Sequence, residues 1–159
     1  MRTEEEAGRA IEKYADMVRR ICMIHLKNHA DTEDIFQTVF LKYVMDDTVF
    51  ANEEHEKAWL IRVTVNACKD LIRNFFRSRT QPLDELQACS HIPEEHIEVL
   101  QAVLSLPEKY RDPIYLHYYE GYTAAEIGQI LKKNVNTVYT LLGRAKNQLR
   151  DRLGGDWNG

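Results

Sequence analysis

Apolar residues recur every three or four positions through most of this chain, and this spacing limits the fold more than any other feature of the sequence. A segment with such a period buries one face when it forms an α-helix, whereas a half-buried strand needs strict alternation. The 159 residues include only 7 glycines and 4 prolines, so turns are few. The sequence therefore predicts an all-α protein.

The periodicity places helices and one interruption along the chain. A first helix is predicted with its apolar face over 10–22, and a second with Asp31 as N-cap and the pair Ile35/Val39 buried. A third helix is predicted over about 55–79. Its inner side is predicted to consist of Trp59, Leu60, Val63, Ala67 and Leu71. Four further helices are predicted after residue 93.

The periodicity lapses over 81–93, where prolines occur at positions 82 and 93. Such a short polar segment is typical of a tether between compact units. We therefore predict two small helical domains, 1–80 and 94–154, joined by the linker 81–93 and followed by a tail, 155–159.

Charge is distributed unevenly around a net value of −4. Between residues 62 and 79, five basic residues accompany one acidic residue, Asp70. Between residues 132 and 152, six basic residues accompany only Asp151. Two basic helices separated by an acidic stretch predict two phosphate-facing surfaces, although the overall charge is negative.

The segment 122–150 has the pattern of a helix-turn-helix. Thr123 and Glu126 have the spacing of a capping box at the start of the first helix. In the second helix the inward residues are predicted to be Val138, Leu141 or Leu142, Ala145 and Leu149. The outward residues are then Asn136, Tyr139, Thr140, Gly143, Arg144 and Asn147. Such side chains can bind base edges and phosphates, although a solvated helix in a bundle has the same pattern.

This segment resembles region 4 of the sigma-70 family. The similar residues are Glu126-Ile127-Gly128, Thr137-Val138, Arg144-Ala145 and Leu149-Arg150, preceded by an LPxxxR element, Leu106-Pro107-Glu108-Lys109-Tyr110-Arg111. The family often has glycine where this chain has Lys132 and Asn136. Asparagine tolerates a left-handed backbone, so the shape of the turn at Lys132 is the open question.

The N-terminal half is similar to region 2 of the same family. The segment 31–40, DTEDIFQTVF, resembles its "DAEDxxQxVF" helix, and 58–70, AWLIRVTVNACKD, resembles its "AWLxRIxxNxxxD" helix. The two resemblances follow in the family's order and are joined by a short linker. This arrangement is similar to that of the extracytoplasmic-function (ECF) group.

The resemblance implies a sigma factor that gives RNA polymerase its promoter specificity. The residues implied for binding the β′ clamp helices of core polymerase are Asp31, Asp34, Gln37, Thr38 and Leu41. Those implied for the −10 element are Trp59, Arg62, Asn66, Lys69, Arg73 and Arg77. Those implied for the −35 element are His117, Asn136, Thr137, Tyr139, Thr140, Arg144 and Lys146. The implied partners are core polymerase through β′ and the β flap, promoter DNA and an anti-sigma factor.

Two other functions fit parts of the pattern. A free-standing regulator would bind a palindromic operator without polymerase, and a pure interaction module would bind another regulator. No catalytic constellation, cofactor motif or small-molecule substrate is expected. His25 and His29 have an i, i+4 spacing but no evident third ligand, so no metal is expected.

The expected location is the cytoplasm, where an anti-sigma factor could hold the protein at the membrane. No run approaches the ~18 apolar residues of a membrane span, and the first residues are acidic and polar rather than a signal peptide. The three cysteines show no close pairing, and Cys22 and Cys68 are predicted to be small buried hydrophobes.

Overall fold

The computed structural model describes residues 1–26, 28–75 and 94–153, with the side chains of residues 74, 75, 94–97, 99 and 153 left out. Every regular element in these ranges is an α-helix, which confirms the predicted fold class. The helices are α1 (Glu4–Leu26), α2 (His29–Met45), α3 (Glu53–Phe75), α4 (Glu94–Ser105), α5 (Glu108–Tyr118), α6 (Ala124–Leu131) and α7 (Val135–Leu153). None of them is long and apolar enough to cross a bilayer. The predicted linker 81–93 and tail 155–159 lie outside the described residues.

The chain divides into two compact units, Met1–His91 and Ile92–Gly159. In the first unit α1, α2 and α3 each pack against the other two. Cys22 and Cys68 are completely buried between these helices, as their apolar neighbours predicted. The pairwise packing buries one side of α2 and of α3 and leaves the opposite sides to solvent.

Two details of the first unit differ from the prediction. Asn28, not Asp31, is the N-cap of α2, because its Oδ1 accepts the backbone N–H of Asp31 at 3.2 Å. The buried side of α3 includes Ile61 and Thr64, whereas the predicted inner residues Trp59, Val63 and Leu71 are only half-buried. Burial of Thr64 is possible because its hydroxyl donates to the Leu60 carbonyl oxygen at 2.7 Å.

In the second unit α7 packs against α4, α5 and α6. The LPxxxR element joins α4 to α5. Its spacing lets the side chain of Arg111 reach back to the first residue of the element. The Nε of Arg111 donates to the carbonyl oxygen of Leu106 at 2.8 Å, next to the C-terminus of α4. Burial lowers the pKa of Arg111 below its ordinary value, although the guanidinium stays charged. This residue therefore has a structural role in fixing the corner.

The turn between α6 and α7 brings two backbone segments close together. The carbonyl oxygen of Gly128 accepts the N–H of Lys133 at 2.9 Å and also that of Lys132. Lys132 has the left-handed conformation, with φ 56° and ψ 50°. Glycine adopts this conformation readily, whereas lysine does so at a cost of about 1 kcal/mol. Lys132 therefore closes the turn in the left-handed backbone conformation that a glycine at this position would favour.

Gly128 should tolerate no side chain, because a Cβ there would lie 2.8 Å from the carbonyl oxygen of Lys133. We expect Gly128→Ala to lower the free energy of unfolding by about 2 kcal/mol in urea titrations. Gly143→Ala is the matched control: a Cβ on Gly143 meets nothing within 4 Å. The control should raise stability by about 1 kcal/mol through helix propensity. Equal changes in the free energy of unfolding for the two substitutions would contradict the close approach of Gly128 to the carbonyl oxygen of Lys133.

Candidate nucleic-acid interface

Helix α6 begins with the predicted capping box. Thr123 Oγ1 accepts the backbone N–H of Glu126 at 3.2 Å, and Glu126 Oε1 accepts the backbone N–H of Thr123 at 2.9 Å. Hydrogen bonding by Thr123, above all from its backbone N–H, lowers the pKa of the Glu126 carboxyl below its ordinary value. The two hydrogen bonds of the box satisfy two free backbone donors and fix where α6 starts. Since α6 packs on α7, the box also helps to set the angle at which α7 is presented.

Helix α7 turns an apolar side to the core and a polar side to solvent. Its inner residues Val138, Ala145 and Leu149 are buried, and of the two leucines it is Leu142 that is buried while Leu141 is half-buried. Every residue predicted to face outward is exposed: Asn136, Tyr139, Thr140, Gly143, Arg144 and Asn147. The N-terminus of the helix is held by Asn134, whose Oδ1 accepts the N–H of Asn136 at 2.8 Å.

The other predicted −35 residues border this face. Thr137 is exposed and Lys146 is half-buried, with its Nζ 5.5 Å from the ring centroid of Tyr118. By helical geometry Thr137 and Arg144 lie on one edge of the exposed face, and Tyr139 and Lys146 lie on the other. His117, on α5, is half-buried and donates from Nδ1 to the carbonyl oxygen of Tyr122 at 2.8 Å.

Helix α2 presents a mixed polar and apolar face opposite its buried side. Asp34, Gln37 and Thr38 are exposed, and Leu41 is 63% exposed, whereas Asp31 is half-buried in the first turn. Met45, which was not predicted, is 59% exposed one turn beyond Leu41. The i, i+4 spacing of Leu41 and Met45 was the signal in the sequence, because an apolar pair at that spacing shares a helix face. Large apolar side chains this exposed are typical of contact surfaces.

Helix α3 carries a polar and basic stripe on the side away from the core. The described members are Arg62, Asn66, Lys69 and Arg73, spaced four, three and four residues apart. Asn66 and Arg73 are exposed, and Arg62 and Lys69 are half-buried. The Nε of Arg62 is buried and has no hydrogen-bond partner within the described part of the chain. Arg77, the remaining member of the prediction, lies outside the described residues.

Trp59 joins α3 to the loop 46–52 through an aromatic cluster. Its ring is half-buried, with the Tyr43 ring centroid at 6.0 Å and the Phe50 ring centroid at 5.8 Å. The Tyr43 hydroxyl donates to Glu56 at 2.7 Å. Burial, followed by this hydrogen bond, raises the pKa of Tyr43 to about 12. Val49 in the loop is 90% exposed, so Phe50 anchors the loop while Val49 points to solvent.

The histidine pair considered for a metal does not share an environment. His25 is 6% exposed in the core of the first unit, whereas His29 is exposed at the start of α2. Across residues 1–26, 28–75 and 94–153, no three side chains of the metal-binding types are grouped to hold an ion.

Comparison with known proteins places both units in one family. A family model described as Sigma-70 region 2 matches residues 10–79, and one described as Sigma-70, region 4, matches residues 96–149. The ECF RNA polymerase sigma factor SigW of Bacillus subtilis is 31% identical, over 90% of this chain and 86% of its own length. The RNA polymerase sigma factor SigV of the same organism is 28% identical, over 84% of this chain and 82% of its own.

Two solved structures show the same fold. The sigma factor RpoE of Bartonella quintana, solved with the anti-sigma factor NepR, has a TM-score of 0.73 at 17% identity and covers 96% of this chain and 99% of its own. CnrH, solved with the cytosolic domain of CnrY, has a TM-score of 0.68 at 21% identity and covers 98% and 92%. At such identities the likeness concerns the fold alone.

The helical fold and the two matched regions, in this order, define an RNA polymerase sigma factor. The chain belongs to the sigma-70 family, in its ECF group, and directs promoter-specific transcription initiation. These similarities to RNA polymerase sigma factors do not favour the alternative of a free-standing regulator that needs no polymerase.

The raised pKa of Tyr43 gives stability a specific dependence on pH. Because folding keeps the phenol neutral, its contribution is fully present below pH 10 and is lost as the pH rises towards about 12. Tyr43→Phe should cost about 1.5 kcal/mol at pH 7, since it leaves Glu56 without this donor. At pH 11 the wild type should lose about 1.4 kcal/mol more than the variant, so the difference should almost vanish. Urea unfolding at both pH values measures the difference in unfolding free energy between the wild type and the variant. The same difference at pH 7 and pH 11 would contradict the raised pKa of Tyr43.

Proposed function

We propose that the two units divide promoter recognition between them. Residues 1–80 bind core polymerase and the −10 element, and residues 94–154 bind the −35 element through α7. The observation that carries this proposal is the chemistry of the solvent-facing stripes. The stripe of α2 is acidic and apolar, whereas those of α3 and α7 carry arginine, lysine and amide side chains.

Helix α7 is suited to the major groove of intact duplex. Its exposed face combines the amide of Asn136, the hydroxyl of Thr140 and the guanidinium of Arg144. Amide and guanidinium groups form bidentate hydrogen bonds with base edges, and hydroxyl groups bind bases or phosphates. Lys146 and His117 are suited to contact phosphates, because both are half-buried at the border of the face, whereas Arg144 is exposed.

The face of α2 is suited to protein rather than DNA. The carboxylate of Asp34 would be repelled by phosphate, and Leu41 and Met45 offer apolar area that phosphates and sugars would not use. Gln37 and Thr38 add hydrogen-bonding groups between the two. We propose that this face docks on the β′ clamp helices of core polymerase, with Asp31 at its N-terminal end.

The stripe of α3 is suited to a melted −10 strand. A groove for single-stranded DNA combines cations that follow the backbone with groups that receive unstacked bases. Arg62, Lys69 and Arg73 supply the cations, and Asn66 supplies an amide among them. Trp59 contributes by supporting the adjacent loop, since its half-buried ring packs against Tyr43 and Phe50.

The proposal extends to partners and location. RpoE of Bartonella quintana and CnrH were each solved with another protein, in the first case an anti-sigma factor. We also propose that the chain is held inactive by an anti-sigma factor, in the cytoplasm or at the membrane, and that its second unit contacts the β flap. It carries out no catalysis of its own and needs no cofactor or small-molecule substrate.

Promoter binding that depends on core polymerase tests the division of labour. The net charge of −4 opposes binding of the free chain to DNA, and docking of the acidic α2 face relieves part of this repulsion. Gel shifts should show a promoter complex with core polymerase and none with the chain alone. A stable complex with a palindromic site in the absence of core would instead support an operator-binding regulator.

Arg144→Ala should weaken binding of the holoenzyme to the −35 element by about 1–3 kcal/mol and relax selectivity at one base pair, if Arg144 reads a base. Competition assays with −35 variants over a range of salt concentrations measure both quantities. Arg9→Ala is the control, since it removes the same charge from an exposed position in the first unit. Unchanged affinity of the Arg144 variant at every salt concentration would rule out this contact.

Leu41→Ala and Met45→Ala should each weaken binding to core polymerase by about 1 kcal/mol, roughly five-fold, through lost apolar contact. Both residues are exposed, so the unfolding free energy should remain unchanged. Ile11→Ala is the matched control, because Ile11 is an exposed aliphatic residue on α1, 38% exposed, outside the α2 face. Titration of labelled core with each variant gives the affinities; wild-type affinity in both α2 variants would refute docking through this face.

A further inference from the structure

Arg2 ties the start of the chain to the loop between α2 and α3. Its backbone N–H donates to the carbonyl oxygen of Val44 at 2.8 Å, and its Nη2 donates to that of Thr48 at 2.9 Å. The guanidinium carbon lies 4.5 Å from the ring centroid of Tyr43 and 4.7 Å from that of Phe50. The side chain is only 12% exposed, so these contacts are largely shielded from water.

The two halves of the loop 46–52 are held in different ways. The second half is fixed by neighbours in sequence: Ala51 N–H donates to His55 Nδ1 at 3.0 Å, and Asn52 Oδ1 accepts the N–H of His55 at 2.9 Å. The first half has one such local bond, from the Thr48 N–H to Asp46 Oδ1 at 2.7 Å, and is also reached from 46 residues away by the hydrogen bond from Arg2 to Thr48. A cation that is shielded from water beside aromatic rings binds them more strongly than an exposed one, and the hydrogen bond from Arg2 adds to this restraint.

Phe50 transmits this restraint to α3. Its ring centroid lies 5.8 Å from that of Trp59 and 5.1 Å from that of His55, both on α3. Trp59 precedes the basic stripe, whose first member is Arg62. Arg2, Phe50 and Trp59 therefore form a continuous set of contacts from the start of the chain to the edge of that stripe.

We infer that Arg2 is a positioning residue for promoter opening. It holds the loop 46–52 against α3, so that the exposed Val49 and the α3 stripe meet the melted strand in one fixed geometry. This role rests on the proposed binding of the −10 element by α3. Because its side chain is buried under the loop, Arg2 acts through Phe50 and Thr48 and does not contact DNA itself.

The test compares Arg2→Gln and Arg2→Lys with Arg9→Ala in the full chain. Arg2 and Arg9 both line a cavity between α1 and the loop 46–52, but Arg9 is 71% exposed and pairs only loosely with Glu5, at 3.8 Å. Three quantities are measured: affinity for core polymerase, promoter opening by fluorescence of 2-aminopurine in the −10 element, and hydrogen exchange of the amides of 46–52. The exchange measurement uses the free chain and reports the restraint on the loop directly.

We expect Arg2→Gln to reduce opening about tenfold and to speed exchange in the loop about tenfold, with core affinity unchanged. Arg2→Lys should recover part of the opening because it keeps the charge near the rings, and Arg9→Ala should behave as wild type. Unchanged opening and exchange in Arg2→Gln would overturn the inference. An equal fall in core affinity and opening, with a lower Tm, would also overturn it, because Arg2 would then only stabilise the unit.

The positioning role of Arg2 and the proposed function predict different experimental failures. An active wild type beside an equally active Arg2→Gln variant contradicts the positioning role alone. A wild-type chain that neither binds core polymerase nor opens any promoter contradicts the proposed function, and with it this role.

Discussion

Each described helix of this protein buries one apolar side in a small core. This constraint leaves only the opposite side of the helix for functional side chains. In α7 the buried positions Val138, Leu142 and Ala145 leave Thr140 and Arg144 facing solvent. In α3 and α2 the same requirement leaves the basic stripe and the Leu41/Met45 face outside. Small units bury a limited fraction of their surface, so nearly every buried position must be occupied by a residue that stabilises the core.

The outward sides differ in chemistry, and this difference supports a division of roles. The face of α2 has a carboxylate beside exposed apolar residues, a combination suited to a protein partner. The solvent-facing stripes of α3 and α7, the two helices proposed to meet DNA, carry arginine and lysine side chains. Under the proposed division, a negatively charged chain carries two DNA-binding surfaces and should bind promoters poorly on its own, because its acidic regions repel phosphate until core polymerase covers the α2 face.

Local patterns predicted much of this architecture. Apolar spacing predicted the helices and the exposed side of α7, and residue types at fixed offsets predicted the Thr123–Glu126 capping box. The N-cap of α2 was misplaced because Asn28 and Asp31 are both good capping residues three positions apart. Thr64 was not expected in the core because its burial depends on a hydrogen bond within its own helix. The contacts of Arg2 join positions far apart in sequence, and no local pattern indicates such a pairing.

The most direct test of the central claim, that the two units read two unlike promoter elements on behalf of polymerase, is transcription in vitro from a randomised promoter library. Core polymerase is incubated with the purified chain, and the transcribed templates are sequenced. If the two units read two unlike elements, the transcripts should depend on the chain, and their templates should share two different sequence elements at a fixed spacing, near −35 and −10. Transcripts that do not depend on the chain, or enrichment of a single palindrome, would contradict this claim.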